Sequence, residues 1–285
     1  MDDSAGMRRR LRVELRRMRG EAGLTQRDVA TALDWSPSKV IRIESGQVGI
    51  SVTDLRALAA LYGLTDGDAV DELAGMARGS KRQPFSDYRD VLSSETIRFF
   101  GYEASASLIR HVQPLVVPGL LQTEDYTRAL LHAYGTDAKA IDRIVESRRE
   151  RQEALDRADP PEVFTILDEA VLRRRVGGTA VMTRQLQHLE ALAERPTVTI
   201  QVVPFDHGAY EAIQGPFVHL EFQVPSDPDV VFVDNVRNAA TFIDDVEITA
   251  QFQESFFALE DLAAPPGKFG HYVERAIDSF SESEV

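Results

Sequence analysis

The sequence predicts a mainly α protein in two parts: a small all-helical module, then a larger α/β (α+β) domain with a small sheet of about four strands. In the first part, apolar residues recur at helical spacing with cap and turn residues between the runs. Short β-branched or aromatic runs bounded by Pro, Gly or Asp gather only after Pro160-Pro161. Charge divides the chain in a similar way: residues 1 to 62 carry 11 Lys+Arg against 8 Asp+Glu, a net of +3, and the remainder carries −17. At 285 residues and 43% hydrophobic, the chain suits one large domain or two ordinary ones, and a disordered composition is excluded. Cysteine is absent, which excludes disulfide frameworks, Cys-ligated zinc, iron–sulfur clusters and thiol nucleophiles, and fits a reducing compartment. No apolar run approaches the roughly 18 to 20 residues of a membrane span, and the Arg-rich start does not lead into a signal-peptide core.

The first helix takes its apolar face from Leu11, Leu15, Met18 and Ala22, and Gly23 stops it. Arg8, Arg9, Arg10, Arg12, Arg16, Arg17 and Arg19 lie on the same helix, and such a run serves a phosphate-facing surface, a membrane surface or a solvated face. Thr25 reads as an N-cap with Asp28 completing a capping-box-like pair, and the second helix buries Val29, Ala30 and Leu33. Asp34 falls where the chain must turn, and Asp tolerates the left-handed conformation better than most residues. Ser36 is the next N-cap, and Pro37 occupies the first helical position, where its missing N–H costs nothing. On this third helix Val40 and Ile43 lie opposite Ser38 and Arg42, so one side is core and the other is polar and free. Gly46 ends it, and a fourth helix from Thr53 to about Tyr62 buries Leu55, Leu58 and Leu61. Two short helices joined by a tight turn, the second with an outward polar stripe, form a helix-turn-helix.

Leu24-Thr25-Gln26-Arg27-Asp28-Val29-Ala30, Ser36-Pro37-Ser38-Lys39-Val40 and Arg42-Ile43-Glu44-Ser45-Gly46 resemble, over residues 7 to 64, the xenobiotic-response-element (XRE, phage-repressor-like) helix-turn-helix family. The resemblance implies binding to double-stranded DNA, with Pro37, Ser38 and Arg42 facing the bases and Gln26, Ser36 and Lys39 facing phosphate. It also implies a structural ion pair between Arg19 and Glu44. Arg can bond guanine O6 and N7 bidentately, whereas Lys on phosphate adds salt-sensitive affinity, so Arg42 should specify and Lys39 should anchor. Pro37 departs from the many relatives that carry Gln there, and the flanking Ile41 offers contact to a thymine methyl instead. Arg8 to Arg12 read either as an extension into a groove or as a basic tail.

The helix-turn-helix domain is expected over residues 7–78, a linker over 79–86 at Gly79-Ser80-Lys81-Arg82-Gln83-Pro84, a regulatory and dimerisation domain over 87–278, and a frayed acidic tail over 279–285. Residues 86 to 110 read as helical, with Phe85, Tyr88, Ile97, Phe99, Phe100 and Tyr102 as core. His111 to Gln122 reads as an apolar loop that needs covering, Thr123 caps a helix to Tyr134, and Asp137 caps another to about Arg157. Strands are expected at 163–167, 198–203, 217–222 and 230–233, with helices at about 168–175 and 181–194 between the first two, giving a parallel pair and then a hairpin-like pair. Asp244 to Leu262 is expected as the last long helix, burying Val246, Ile248, Phe252, Phe256 and Leu259.

Val117-Pro118-Gly119-Leu120-Leu121-Gln122-Thr123, Arg148 to Gln152, Leu167-Asp168-Glu169-Ala170 and Val202-Val203-Pro204-Phe205 resemble, over roughly 85 to 265, the domain of unknown function fused to many such regulators in actinobacteria. The resemblance implies an antitoxin-like regulator encoded beside a small partner protein, with no chemistry of its own assigned. Asp168 and Glu169 directly follow a strand, where α/β sheets often bind ligands, and Arg173 follows one turn later; with His207 they mark either an effector pocket for an anionic molecule or ordinary caps and loop residues. Glu211 and His219 lie in or near the same segment, but His207 and His219 share no register with a third ligand, so no metal is expected. No phosphate loop, nucleophile elbow or HExxH sequence is present, so neither a cofactor nor catalysis is expected. The expectation is a sequence-specific DNA-binding transcription regulator, homodimeric on an inverted-repeat operator. Its second domain would receive a small-molecule or protein signal, and it would be cytoplasmic, away from membranes and at the nucleoid when on DNA. The alternatives are an antitoxin-like regulator that neutralises or answers to its small partner, and an uncharacterised enzyme activity in the second domain.

Overall fold

The computed structural model describes residues 4–46, 48–80, 84–210, 215–223, 228–233 and 241–282. The chain divides into two compact units, Met1–Arg89 with Ser94–Ser105, and Asp90–Ser93 with Ala106–Val285. The division falls beyond the 79–86 linker expected from composition, because the helix at Ser94–Ser105 belongs with the first unit. Of that linker, residues 81–83 lie outside the described residues, Gly79 still belongs to a helix, and Ser86 opens a short 3-10 turn.

The first unit contains α1 (Ser4–Glu21), α2 (Gln26–Ala32), α3 (Pro37–Glu44), α4 (Val52–Leu61), α5 (Gly67–Gly79) and α6 (Ser94–Ser105). Local chemistry sets the ends of the middle helices. Thr25 and Asp28 form a reciprocal capping box at 2.9 and 3.2 Å, which holds the Asp28 carboxyl below its usual range through the Thr25 hydrogen bonds. Asp34 adopts φ +54° in the turn, Ser36 accepts the Lys39 amide at 3.2 Å, and Pro37 begins α3. Leu11, Leu15 and Met18 of α1 pack with Val29, Ala30, Val40, Ile43, Leu55 and Leu58 in one core. Leu33 and Leu61 are only partly buried, and Ala22, expected in the apolar face, is exposed beyond the end of α1.

Two helices that flank α1 change the meaning of its arginines. Leu73, Ala74 and Ala77 of α5 join the core beside α1, and the Met7 side chain lies against Gly79, where an added Cβ would make it shift. α6 packs on α1 as well, and its Ile97, Phe99, Phe100 and Tyr102 are buried core, as is Tyr88. Arg9 and Arg12 are consequently 1% and 3% exposed. Arg12 lies 5.7 Å from the Tyr102 ring centre and Arg8 donates to the Ser80 carbonyl at 2.6 Å. The expectation that Arg8 to Arg12 reach a groove or form a loose tail is therefore overturned for Arg8, Arg9 and Arg12, which brace the helical bundle.

The second unit is built on β1 (Leu108–Gln113), β2 (Glu162–Asp168), β3 (Val198–Val203), β4 (Phe217–Glu221), β5 (Val230–Val233) and β6 (Thr241–Ile243). They form one six-stranded sheet in the order β3-β2-β1-β4-β5-β6, the first three parallel and the rest antiparallel. The four expected strands are present, with two more: β1 on residues expected as helix and loop, and β6 on residues given no element. β1 takes residues assigned to a helix ending at 110 and to the apolar loop, because pairing with both β2 and β4 outweighs its polar Arg110, His111 and Gln113. Burial drives the His111 imidazole down to about 3, with Arg151 adding to the effect, so it is neutral beside Thr165.

The helices are α7 (Glu124–Ala133), α8 (Ala138–Gln152), α9 (Glu169–Arg173), α10 (Thr179–Ala193), α11 (Val246–Leu262) and α12 (Phe269–Glu282). α12 corrects two expectations: α11 is not the last long helix, and residues 279–282 are helical with Phe280 buried, while 283–285 lie outside the described residues. α11 lays Phe256 and Leu259 on the sheet face of Val112, Ile166, Val203, Phe217 and Val231. Val246 and Ile248, expected in its core face, are 72% and 42% exposed. The segment 114–122 buries Val117, Leu120 and Leu121 as expected. Its carbonyls are satisfied by amide side chains, Gln122 on Val117 at 2.6 Å, Gln185 on Leu121 at 2.8 Å and Gln152 on Gly119 at 3.1 Å.

Candidate nucleic-acid interface

The α2–turn–α3 surface is held from behind by a charged clamp. Arg19 of α1 donates to both Glu44 carboxylate oxygens, at 2.7 and 3.1 Å, and to the Leu24 carbonyl at 2.8 Å. Glu44 is 2% exposed and takes a further bond from Gln26 at 2.7 Å. The Tyr62 hydroxyl nearby is pushed up to about 12, chiefly by burial and then by the Glu44 charge. One carboxylate thus ties α1, α2 and α3 together, and a bidentate Arg–carboxylate pair fixes orientation as well as distance.

With Val40 and Ile43 buried against the core, α3 turns Pro37, Ser38, Ile41 and Arg42 outward. Ile41 is 47% exposed, an isolated apolar side chain on a polar face. Arg42 is exposed, and no described residue accepts a hydrogen bond or ion pair from its guanidinium. The same holds for Arg27 on the neighbouring α2, which sequence reasoning quoted only as part of a motif. All three expected phosphate ligands have protein partners. Lys39 sits 3.7 Å above the Trp35 ring and 2.9 Å from Asp54 Oδ1, and the Ser36 hydroxyl caps α3. The Lys39–Asp54 pair is partly exposed, a kind typically worth about 0–1 kcal/mol, so a phosphate can displace it at little cost. Gln26 gives an amide hydrogen to Glu44, which leaves its second amide hydrogen for a phosphate. Trp35 as the platform under Lys39 was not foreseen; an aromatic four residues before a lysine at a helix start was its only signal.

In the second unit, Asp168, Glu169 and Arg173 do come together, and they bond one another and their surroundings. Asp168 caps α9 through the Ala170 amide at 2.7 Å and accepts the Tyr210 hydroxyl at 2.6 Å. Burial and that carboxylate both raise the Tyr210 pKa. Glu169 is bonded by Arg173 at 2.9 Å and by the Phe205 amide at 3.1 Å. His207 is exposed and not among these contacts, so the expected pocket is a capping network without it. Glu211 lies outside the described residues.

A folded helix pair with one face locked into a core and the other presenting arginines defines a DNA-binding regulator of the helix-turn-helix class, and a helix-turn-helix domain model matches residues 10–73. A second family model, a domain of unknown function designated DUF5753, matches residues 96–268, more than half the chain, and the protein belongs to that family. No curated protein and no solved structure matches the chain. Among the described residues no helix is long and apolar enough to cross a membrane.

Proposed function

We propose that the protein is a sequence-specific transcription regulator that inserts α3 into the DNA major groove as a homodimer. The observation that carries this is Arg42: an outward, unpartnered guanidinium among the described residues, on a helix whose opposite side is fixed by Val40, Ile43 and the Arg19–Glu44 clamp. Arg42 reads a base, Ser38 and Ile41 shape the adjoining contact, and Lys39, Gln26 and the exposed Arg27 engage phosphates. A single helix-turn-helix covers few base pairs, so two copies on half-sites about one helical turn apart supply the specificity of an operator.

The second unit acts as a non-catalytic receiver, since Asp168 and Glu169 are occupied as caps and ion-pair partners. A protein signal is favoured over a small molecule by the outer side of α11. Val246, Ile248, Phe257 and Leu262 are exposed there beside Glu247, Glu254 and Asp261, and no Lys or Arg occurs from 241 to 267. An acidic, apolar surface suits a basic amphipathic partner, consistent with an antitoxin-like regulator answering to a small co-encoded protein. Selection of bound duplexes from a random pool by the full-length protein tests the reading. An enriched inverted repeat whose affinity falls steeply with salt supports it; a folded protein that enriches nothing contradicts autonomous operator recognition.

A further inference from the structure

We propose that His219, Glu221 and Asp229 bind a divalent first-row transition-metal ion, on the sheet face beneath α11. The three residues are brought together by strand register. His219 and Glu221 are two apart on β4 and so share a face, and antiparallel pairing of Leu220 with Val230 sets Asp229, just before β5, beside Glu221. One donor atom from each side chain lies within 4.8 Å of the others.

His219 is the observation that points to an ion. It is 0% exposed, and neither ring nitrogen has a hydrogen-bond partner, a costly state for a buried imidazole. Its Nε2 stands 3.3 Å from Asp229 Oδ2 and its Nδ1 3.7 Å from Glu221 Oε1. Two donors bound tetrahedrally at about 2.0–2.2 Å from one ion are roughly 3.4 Å apart, so the Nε2–Oδ2 separation fits a shared ion better than a hydrogen bond. Glu221 is held in place by Arg110 and by Gln253 at 3.1 Å, both on Oε1, which leaves Oε2 free to ligate among the described contacts.

Charge permits a cation despite Arg110. That guanidinium lies 5.6 and 5.2 Å from the Phe256 and Phe257 ring centres, and the carboxylates of Glu221, Asp229, Glu260 and Glu162 outnumber it. Glu221 and Asp229 are 27% and 33% exposed, so an ion can approach from their side while His219 stays buried. Imidazole plus two carboxylates, without sulfur, suits Zn2+ or its neighbours rather than Cu+, and the nitrogen donor disfavours Ca2+. The bound ion would fasten the β4 and β5 ends to each other.

The test is zinc titration of chelator-treated, tag-free full-length protein by calorimetry, with thermal melting in parallel. The expected result is one site, a raised melting temperature and at least a tenfold loss of affinity in both His219→Ala and Asp229→Asn, with His207→Ala unchanged and Ca2+ giving no response. Asp229→Asn changes only a partly exposed side chain to its isostere, so it remains informative if His219→Ala does not fold. No zinc binding overturns the proposal, as does zinc binding that Asp229→Asn leaves intact.

Discussion

The arginines of α1 and those of the α2–α3 surface are chemically identical and sit in opposite surroundings. On α1, Arg9 and Arg12 are buried, Arg8 bonds the end of α5, Arg19 clamps Glu44, and Arg17 is flanked by Glu14 and Glu21. On the other surface Arg42 and Arg27 face outward with no described partner. The density of positive charge in a sequence therefore does not reveal which of the charges already have protein partners. Seven arginines fall between residues 8 and 19, yet the arginine proposed to read DNA lies on α3.

Substitutions can break this contrast at its strongest point first. Arg19→Ala removes one partner of a bond network centred on a nearly buried carboxylate, and should cost about 3 kcal/mol of stability, read as a lower denaturant midpoint for the full chain. An unchanged midpoint would show that the clamp is dispensable. Arg42→Ala should leave the melting curve intact and remove roughly 1–3 kcal/mol of preference at one base pair, measured by competition between matched and mismatched duplexes. Lys39→Ala should weaken every duplex alike and lower the salt slope by about one, because its proposed role is phosphate contact. Smallest of all, Arg17→Ala should alter neither the salt slope nor the preferred sequence, since its guanidinium is engaged by exposed glutamates. A loss of slope there would put α1 back on the DNA.

How far the sequence foretold these differences depends on the range of the interactions concerned. The caps at Thr25 and Ser36, the left-handed turn at Asp34 and Pro37 at the start of α3 depend on neighbours within four residues, and they fell where the sequence placed them. The burial of Arg9 and Arg12 depends on α5 and α6, distant in sequence, and no local pattern announces it. β1 shows the same limit: Arg110 and His111 argue against a strand until β2 and β4 are known to flank them. Asp168 reads correctly as a cap from its place after β2, whereas the grouping with Tyr210 and the Phe205 amide required the fold. The His219, Glu221 and Asp229 cluster was hidden for the same reason, since only the β4–β5 register brings Asp229 to the other two.

Arg42, rather than the arginines of α1, is proposed to read the DNA sequence. Parallel selections from random duplex DNA with the wild-type protein and with Arg42→Ala test it most directly. The wild type should yield one enriched motif and the variant the same motif with a single position in each half-site flattened. An identical motif from both proteins would contradict it.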